Sequence, residues 1–212
     1  MMRILIADDH TVVRKGLKQI LLEAFKSAHI EEVEDAEGLV KEALRGTWDV
    51  VITDLSMPGR SGLDALHQIK QHLPKLPVLV LSIHPEEQYA IRVLKAGASG
   101  YLSKDAASEE LVGAIQRVML GKKYISPQVA EKLASSLDLD EDRSPHEQLS
   151  DREFDVLKQI AVGKSITEIA NMLSLSPTTI STYRTRILTK LGMKTNADLI
   201  LYALEHKLTP NG

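Results

Sequence analysis

The chain has 212 residues, of which 43% are hydrophobic and 26% charged, with a formal net charge of −3. These proportions fit a folded globular protein and exclude both a disordered chain and a generally basic coat for nucleic acid. Cysteine is absent, which excludes disulfides, zinc–thiolate sites, iron–sulfur clusters and cysteine catalysis, and fits a reducing, cytoplasmic setting.

At ~150 residues per domain, the length allows one large domain or two small ones. The opening run Met1 to Ala7 is closed at once by Asp8 and Asp9, unlike a signal peptide. No stretch of ~18 apolar residues follows, so no membrane span is expected. Five short strands are predicted: Arg3 to Ala7, Ile30 to Val33, Val50 to Asp54, Pro77 to Ser82 and Gly100 to Leu102. Four are apolar runs bounded by acids, Pro or Gly, as expected of buried parallel strands. The second is interrupted by Glu31 and Glu32. Helical faces lie between them: Val13, Leu17, Ile20, Leu21 and Ala24; then Leu63, Leu66, Ile69 and Leu73; then Leu111, Ile115 and Val118. Alternation of strand and helix implies an α/β domain with a parallel sheet and right-handed crossovers.

Residues 126–148 read as a joint. Ser126-Pro127 opens a short helix through Ser136, and Leu137 to Pro145 is acidic and aperiodic, as a solvated linker is. Beyond it the pattern is helical throughout. Capping boxes begin at Ser150 and Ser165, Ser176-Pro177 places a cap before Pro at the first helical position, and Thr195 opens a fourth helix. Charge follows the same division. Residues 1–143 hold 18 Lys/Arg and 22 Asp/Glu, whereas 144–212 hold 8 and 7, a net of −4 against +1.

Three acids fall at strand ends. Asp8 and Asp9 follow the first strand and Asp54 ends the third. In an open parallel sheet of order 2-1-3-4-5, ligands bind beyond the carboxyl ends of the strands at the switch point, here between the first and third. Converging carboxylates repel, so such a site needs a cation or holds a proton. Hard oxygen ligands without thiolates favour Mg²⁺. Lys104, just beyond the fifth strand, offers an ammonium to a phosphoryl oxygen, and Ser82, ending the fourth, offers a hydroxyl. The chemistry this supports is phosphoryl transfer onto Asp54, with Asp8 and Asp9 holding metal. Each acid taken singly is equally well explained as a strand exit into water, and the weight lies in all five residues meeting on one edge. His10 and His84 read as loop residues more readily than as ligands, and Trp48 as a cover for apolar surface.

Ile6-Ala7-Asp8-Asp9-His10, Ile52 to Gly59, Leu81-Ser82 and Gly100 to Asp105 together resemble the receiver domains of two-component response regulators. The resemblance covers residues 1–125. It implies that Asp54 accepts a phosphoryl group from a sensor histidine kinase, that Asp8, Asp9 and Asp54 hold Mg²⁺, that Ser82 and Lys104 contact phosphoryl oxygens, and that Tyr101 is a switch residue. Many members follow the lysine with Pro; here it is Asp105.

In the last part, the helices Ser165 to Leu173 and Pro177 to Leu191 are separated by three residues, the helix-turn-helix spacing. Ile180, Tyr183, Ile187 and Leu191 share the inner face of the second helix. Thr178, Ser181, Thr182, Thr185 and Thr189 lie opposite, suited to base edges and thymine methyls. Arg184, Arg186 and Lys190 flank them for phosphates, and the cap at Ser176 turns a helix N-terminus outward. The same periodicity describes any small helical bundle with a polar outer face. Leu149 to Leu157, Gly163 to Ala170, Leu175-Ser176, Thr179-Ile180 and Lys190-Leu191-Gly192 resemble LuxR-type helix-turn-helix domains over about 149–208. The two resemblances together imply the NarL/FixJ branch of response regulators. Ser181 stands where such proteins often carry Lys.

The expected protein is therefore a receiver (1–125), a linker (126–148) and a DNA-binding domain (149–212). It is a regulator rather than an enzyme, working on double-stranded DNA and pairing as a homodimer when phosphorylated or DNA-bound. The helix Thr195 to Leu208, through Leu199, Ile200, Tyr202 and Ala203, serves either as the dimer contact or as core. A phosphohydrolase is a rival, but Ser56 stands two residues after Asp54 where a second acid would protonate a leaving group. Two further rivals are a receiver that works without phosphorylation and a ligand-sensing LuxR-type regulator. The acid pair, Asp54 and Lys104 argue against the first, and the receiver-like half argues against the second.

Overall fold

The computed structural model describes residues 1–57, 60–131 and 145–209. The chain divides into two units, Met1–Ser136 and Leu137–Gly212.

In the first unit the strands are β1 (Arg3–Ala7), β2 (His29–Val33), β3 (Val50–Thr53), β4 (Val78–Ser82) and β5 (Gly100–Ser103). They form one parallel sheet in the order β2-β1-β3-β4-β5. The helices are α1 (Thr11–Ala24), α2 (Ala36–Arg45), α3 (Gly62–His72), α4 (Glu86–Lys95) and α5 (Ala107–Met119). Every residue of β3 and β4 is buried, which explains why those runs read as continuous apolar sequence. Along the strands Ile4, Ile6, Val50, Ile52, Leu79 and Leu81 join Leu17, Leu21, Leu111, Ile115 and Val118 in one core layer. The alternate residues Leu5, Val51, Val78 and Val80 are also buried and point to the opposite face.

Edge strand β2 is only half-buried, which accommodates its glutamates: Lys18 Nζ lies 2.6 Å from Glu32 Oε1. Helices α2 and α4 add to the three helical faces recognised in the sequence. Each buries few side chains, Ala36, Leu39, Val40 and Ala43 on α2 and Tyr89, Ala90 and Val93 on α4, so their apolar stripes are short. Asp54 lies one residue beyond β3 rather than within it, although its N–H still donates to Ala7 O at 2.8 Å. Residues 127–131 are helical; the rest of the expected helix to Ser136, and the acidic stretch as far as 144, lie outside the described residues.

The second unit holds α6 (Asp151–Ala161), α7 (Ile166–Met172), α8 (Pro177–Leu191) and α9 (Asn196–Glu205). Ser150, Ser165 and Thr195 each cap a helix reciprocally with an acid three residues on, and Ser176 Oγ accepts from Thr179 N–H at 3.1 Å. These caps satisfy N–H groups that a helix leaves orphaned, and each stabilises its helix by ~1 kcal/mol. Gly192 ends α8 at φ 67°, the left-handed conformation glycine adopts without strain. Helix α9 stops at Glu205, short of the expected Leu208, because Lys207 turns left-handed at φ 52°. Leu208 N–H then closes back on Ala203 O at 2.8 Å. Phe154, Leu157, Ile160, Ile169, Ile180, Ile187 and Leu199 are buried here. Tyr202 and Ala203 are buried in the same way, and Ile200 is half-buried. The apolar set proposed for a dimer contact is therefore largely core, and α9 instead exposes Leu201 and Leu204, at 59% and 53%.

Among the described residues no helix is long and apolar enough to cross a membrane.

Candidate functional site

Adjacent strands β1 and β3 end side by side, so Asp8, Asp9 and Asp54 arrive at one place on the carboxyl edge of the sheet. Asp8 and Asp54 are almost fully buried, at 1% and 2% exposure, whereas Asp9 is half-buried. One ligand atom from each of Asp8, Asp9, His10 and Asp54 lies within 4.8 Å of the others. Lys104 Nζ stands between the two buried acids, 2.7 Å from Asp8 Oδ2 and 2.7 Å from Asp54 Oδ2. The contact to Asp54 is a hydrogen bond, and the one to Asp8 is an ion pair of the same length. His10 lies beside the pair, its Nδ1 2.7 Å from Asp9 Oδ1 and its N–H donating to Asp8 Oδ1 at 2.8 Å.

Burial pushes the Asp54 carboxyl above the ordinary aspartate range, against the opposing pull of Lys104. Burial also lowers the Lys104 ammonium, but its contacts with Asp54 and Asp8 more than offset this and hold it above the ordinary lysine value. A pair in which both partners are raised is one whose acid is dominated by desolvation rather than by its cation. Three carboxylates with one compensating lysine leave negative charge in a dry pocket. The donor set is hard oxygen, gathered on one edge with a single lysine against three carboxylates, so these residues fit a hard divalent cation.

The neighbouring strand ends complete the edge. Ser82 ends β4, fully buried, and its Oγ accepts from His84 N–H at 3.2 Å. Tyr101, on β5, is buried, and its hydroxyl donates to His84 O at 2.7 Å. The His84 ring lies 2.7 Å, Nε2 to Oγ, from Ser56, and Ser56 N–H donates to Asp54 Oδ1 at 3.2 Å. His84, read from sequence as a loop residue, thus touches the loop after Asp54 and both Ser82 and Tyr101. Gly62 opens α3 directly against Asp54: a Cβ there would sit 1.8 Å from Asp54 O, so only glycine allows the helix to start so close.

Sequence reasoning missed Arg14. It lies on the inner face of α1 with Leu17 and Leu21 and is buried. Nη1 donates to the backbone carbonyl of Asp8 at 2.5 Å. A charged residue at core spacing was the available signal.

In the second unit, Ser174-Leu175-Ser176 joins α7 to α8 as expected, with Leu173 closing α7. Ile180 and Ile187 are buried, while Tyr183 and Leu191 are half-buried. Ser176, Thr178, Ser181, Thr182, Thr185, Arg186, Thr189 and Lys190 are exposed, and Arg184 is half-buried. The hydroxyls of Thr182, Thr185 and Thr189 each donate to the carbonyl four residues back, at 3.0 Å. Arg184 Nε donates to Asn196 Oδ1 at 2.5 Å. Lys190 Nζ binds Glu153 Oε2 at 2.6 Å and Gln148 O at 3.2 Å, which occupies it within the unit. Arg186 is left as the more accessible cation of the three.

Residues 4–116 match the model of the response regulator receiver domain, and residues 147–203 match that of bacterial regulatory proteins, luxR family. The chain is similar to the response regulator UvrY of Escherichia coli strain K12, 36% identical over 209 residues, covering 98% of this chain and 96% of the relative. It is also similar to the response regulator GacA of Pseudomonas aeruginosa, 36% identical over 207 residues and 97% of each chain. Among solved structures it resembles RcsB from Salmonella enterica serovar Typhimurium bound to promoter rprA in the presence of the phosphomimetic BeF3⁻. That match has a TM-score of 0.62 and 31% identity, and covers 95% of this chain and 98% of the other.

Proposed function

This chain belongs to the response regulators of the NarL/FixJ branch, which join a receiver to a LuxR-type regulatory domain, and from that premise we propose how its residues divide the work of phosphorylation-dependent transcription control. Asp54 is the phosphoacceptor. A carboxylate oxygen attacks the phosphorus of a phosphohistidine on a sensor kinase, the P–N bond breaks, and the imidazole leaves with its electron pair. Asp8, Asp9 and Asp54 hold Mg²⁺, which when bound neutralises charge on the transferring group. Lys104 exchanges its contact with Asp54 for a phosphoryl oxygen, and Ser82 Oγ donates to another. Ser82 Oγ accepts from His84 N–H and keeps its own O–H to donate, and Tyr101 is anchored to the His84 carbonyl, so a movement of Ser82 toward a phosphoryl group is passed through His84 to Tyr101 and the surface near α4.

Helix α8 enters the major groove, with Thr178, Ser181, Thr182, Thr185 and Thr189 toward the bases. The N-terminus capped by Ser176, together with Arg184, Arg186 and to a lesser degree Lys190, faces phosphates. A homodimer on DNA reads half-sites about 10 bp apart, and Leu201 and Leu204 of α9 are the apolar surface offered to the second copy. The working division is a receiver over 1–125, a linker over 126–148 and a DNA-binding domain over 149–212, acting in the cytoplasm.

The observation that carries this reading is Lys104 bridging two buried carboxylates. The test is incubation with Mg²⁺ and a small acyl phosphate, with intact mass recorded for wild type and Asp54→Ala. A single phosphoryl adduct that requires Mg²⁺ and vanishes in the variant is expected. A folded wild type that takes no phosphoryl group from either an acyl phosphate or a phosphorylated kinase would overturn it.

A further inference from the structure

Arg14 occupies a position that α1 otherwise gives to aliphatic side chains. It is 5% exposed, and the two other buried residues of the helix are Leu17 and Leu21. Burying a guanidinium is costly, and an apolar residue of similar size would commonly serve stability as well or better. Its partners show where the cost is directed. Nη1 donates to Asp8 O and Nη2 donates to Glu34 Oε1, both at 2.5 Å. Thr11 Oγ1 is 3.4 Å from Nη2, and Glu32 Oε2 is 3.8 Å from Nε. Glu34 is 73% exposed, so that ion pair is well screened and adds little stability by itself. The carbonyl of Asp8 is the dry partner.

Asp8 is consequently held by every polar group it has. Its N–H donates to Val33 O at 3.3 Å, and its O accepts from Arg14. Its Oδ1 accepts from His10 N–H, and its Oδ2 faces Lys104. The backbone between Asp8 and Asp9 is the one stretch that places both metal-binding acids, and Arg14 grips it from below. A planar fork reaches the Asp8 carbonyl and Glu34 at once; a lysine offers a single point charge and cannot span both in the same way.

We propose that Arg14 is a positioning residue for the acid pair: its guanidinium, oriented by Glu34, fixes the Asp8–Asp9 backbone in the geometry that binds the divalent cation. The inference rests on the Mg²⁺ and Asp54 reading above. Two physical effects of Arg14 have opposite signs. Its positive charge repels a cation, whereas its hydrogen bond preorganises the ligands. Neighbours that orient metal ligands are worth about 10- to 100-fold in affinity, and the charge is already offset by Glu34 and Glu32.

The test uses the full-length chain and two readouts, Mg²⁺ affinity by titration calorimetry without any phosphodonor, and the Mg²⁺ dependence of adduct formation from an acyl phosphate. Arg14→Lys keeps the charge and loses the fork. It is expected to weaken Mg²⁺ by about tenfold, while the adduct rate at saturating Mg²⁺ stays within about twofold of wild type. Arg14→Gln is expected to weaken Mg²⁺ as well, although it removes a repelling charge, and Glu34→Gln to shift it the same way by less. Thermal unfolding of each variant separates this from simple loss of stability, since a structural role would lower the midpoint without moving Mg²⁺ affinity. Unchanged affinity in Arg14→Lys, or tighter binding in Arg14→Gln, overturns the proposal. Wild type that binds no Mg²⁺ removes the metal reading itself, and the positioning role with it.

Discussion

The two units solve opposite problems with polar residues. In the first, charged groups are buried and hold one another: Asp8, Asp54, Lys104 and Arg14 all lie deep at the sheet edge. In the second, the polar face of α8 is exposed, and its threonine hydroxyls close on their own helix. A site for chemistry needs fixed groups in low dielectric, where charges act strongly. A surface for reading a long polyanion needs accessible groups that cost the fold nothing. Substitution should therefore disturb stability and function together in the first unit and separate them in the second.

The largest effect expected is from Lys104→Met. It leaves Asp8 and Asp54 facing each other in a dry pocket with their shared cation gone, which costs about 3 kcal/mol in receiver stability, read by urea unfolding without Mg²⁺. Asp54→Asn should move the midpoint the other way, because burial already disfavours the ionised carboxyl. If both variants shift stability equally and in one direction, the contrast between the units is lost.

Next comes Lys190→Met. Glu153 is 3% exposed, and losing its ammonium partner should cost about 1–2 kcal/mol, the lower end being favoured by the solvent that reaches Lys190. Burial raises the Glu153 carboxyl, but hydrogen bonds from Lys190 and Ser150 prevail and hold it below an ordinary glutamate's 4.5. A lowered value means the contribution is complete above that pH and is lost as pH falls through the depressed value. The difference between wild type and Lys190→Met should thus shrink in unfolding measured below pH 4.5. A difference that persists unchanged in acid would show that Lys190 acts by packing.

Ser176→Ala removes the cap of α8 and should cost about 1 kcal/mol. Smallest in stability is Arg186→Ala, which should leave unfolding unchanged while lowering the salt dependence of DNA binding by about one phosphate contact. Lys190→Met, corrected for stability, should change that slope less. Reversal of the two would return Lys190 to the DNA-facing set.

The sheet was largely legible because fully buried parallel strands must be aliphatic and must end where acids, Pro or Gly begin. The acid pair, Asp54 and Lys104 were legible because strand order alone brings strand ends together. Arg14 was not, since the same spacing that marks a core position leads the eye to Leu17 and Leu21 and past the charge one turn before them. The links through His84 run over its backbone N–H and carbonyl as well as its ring, and backbone groups carry no residue signature. On α9 the apolar pattern was correct, but periodicity cannot say which of two apolar sides turns inward. Leu199, Tyr202 and Ala203 went to the core, and Leu201 and Leu204 went to solvent.

The threonine bonds on α8 bear on how such a protein changes over generations. Because Thr182, Thr185 and Thr189 close on their own helix, none of their side-chain hydrogen bonds supports another part of the unit. Ser181 and Arg186 beside them are exposed as well. The outer side of this helix is therefore a replaceable part. Its lettering can be rewritten while the core beneath it is inherited intact.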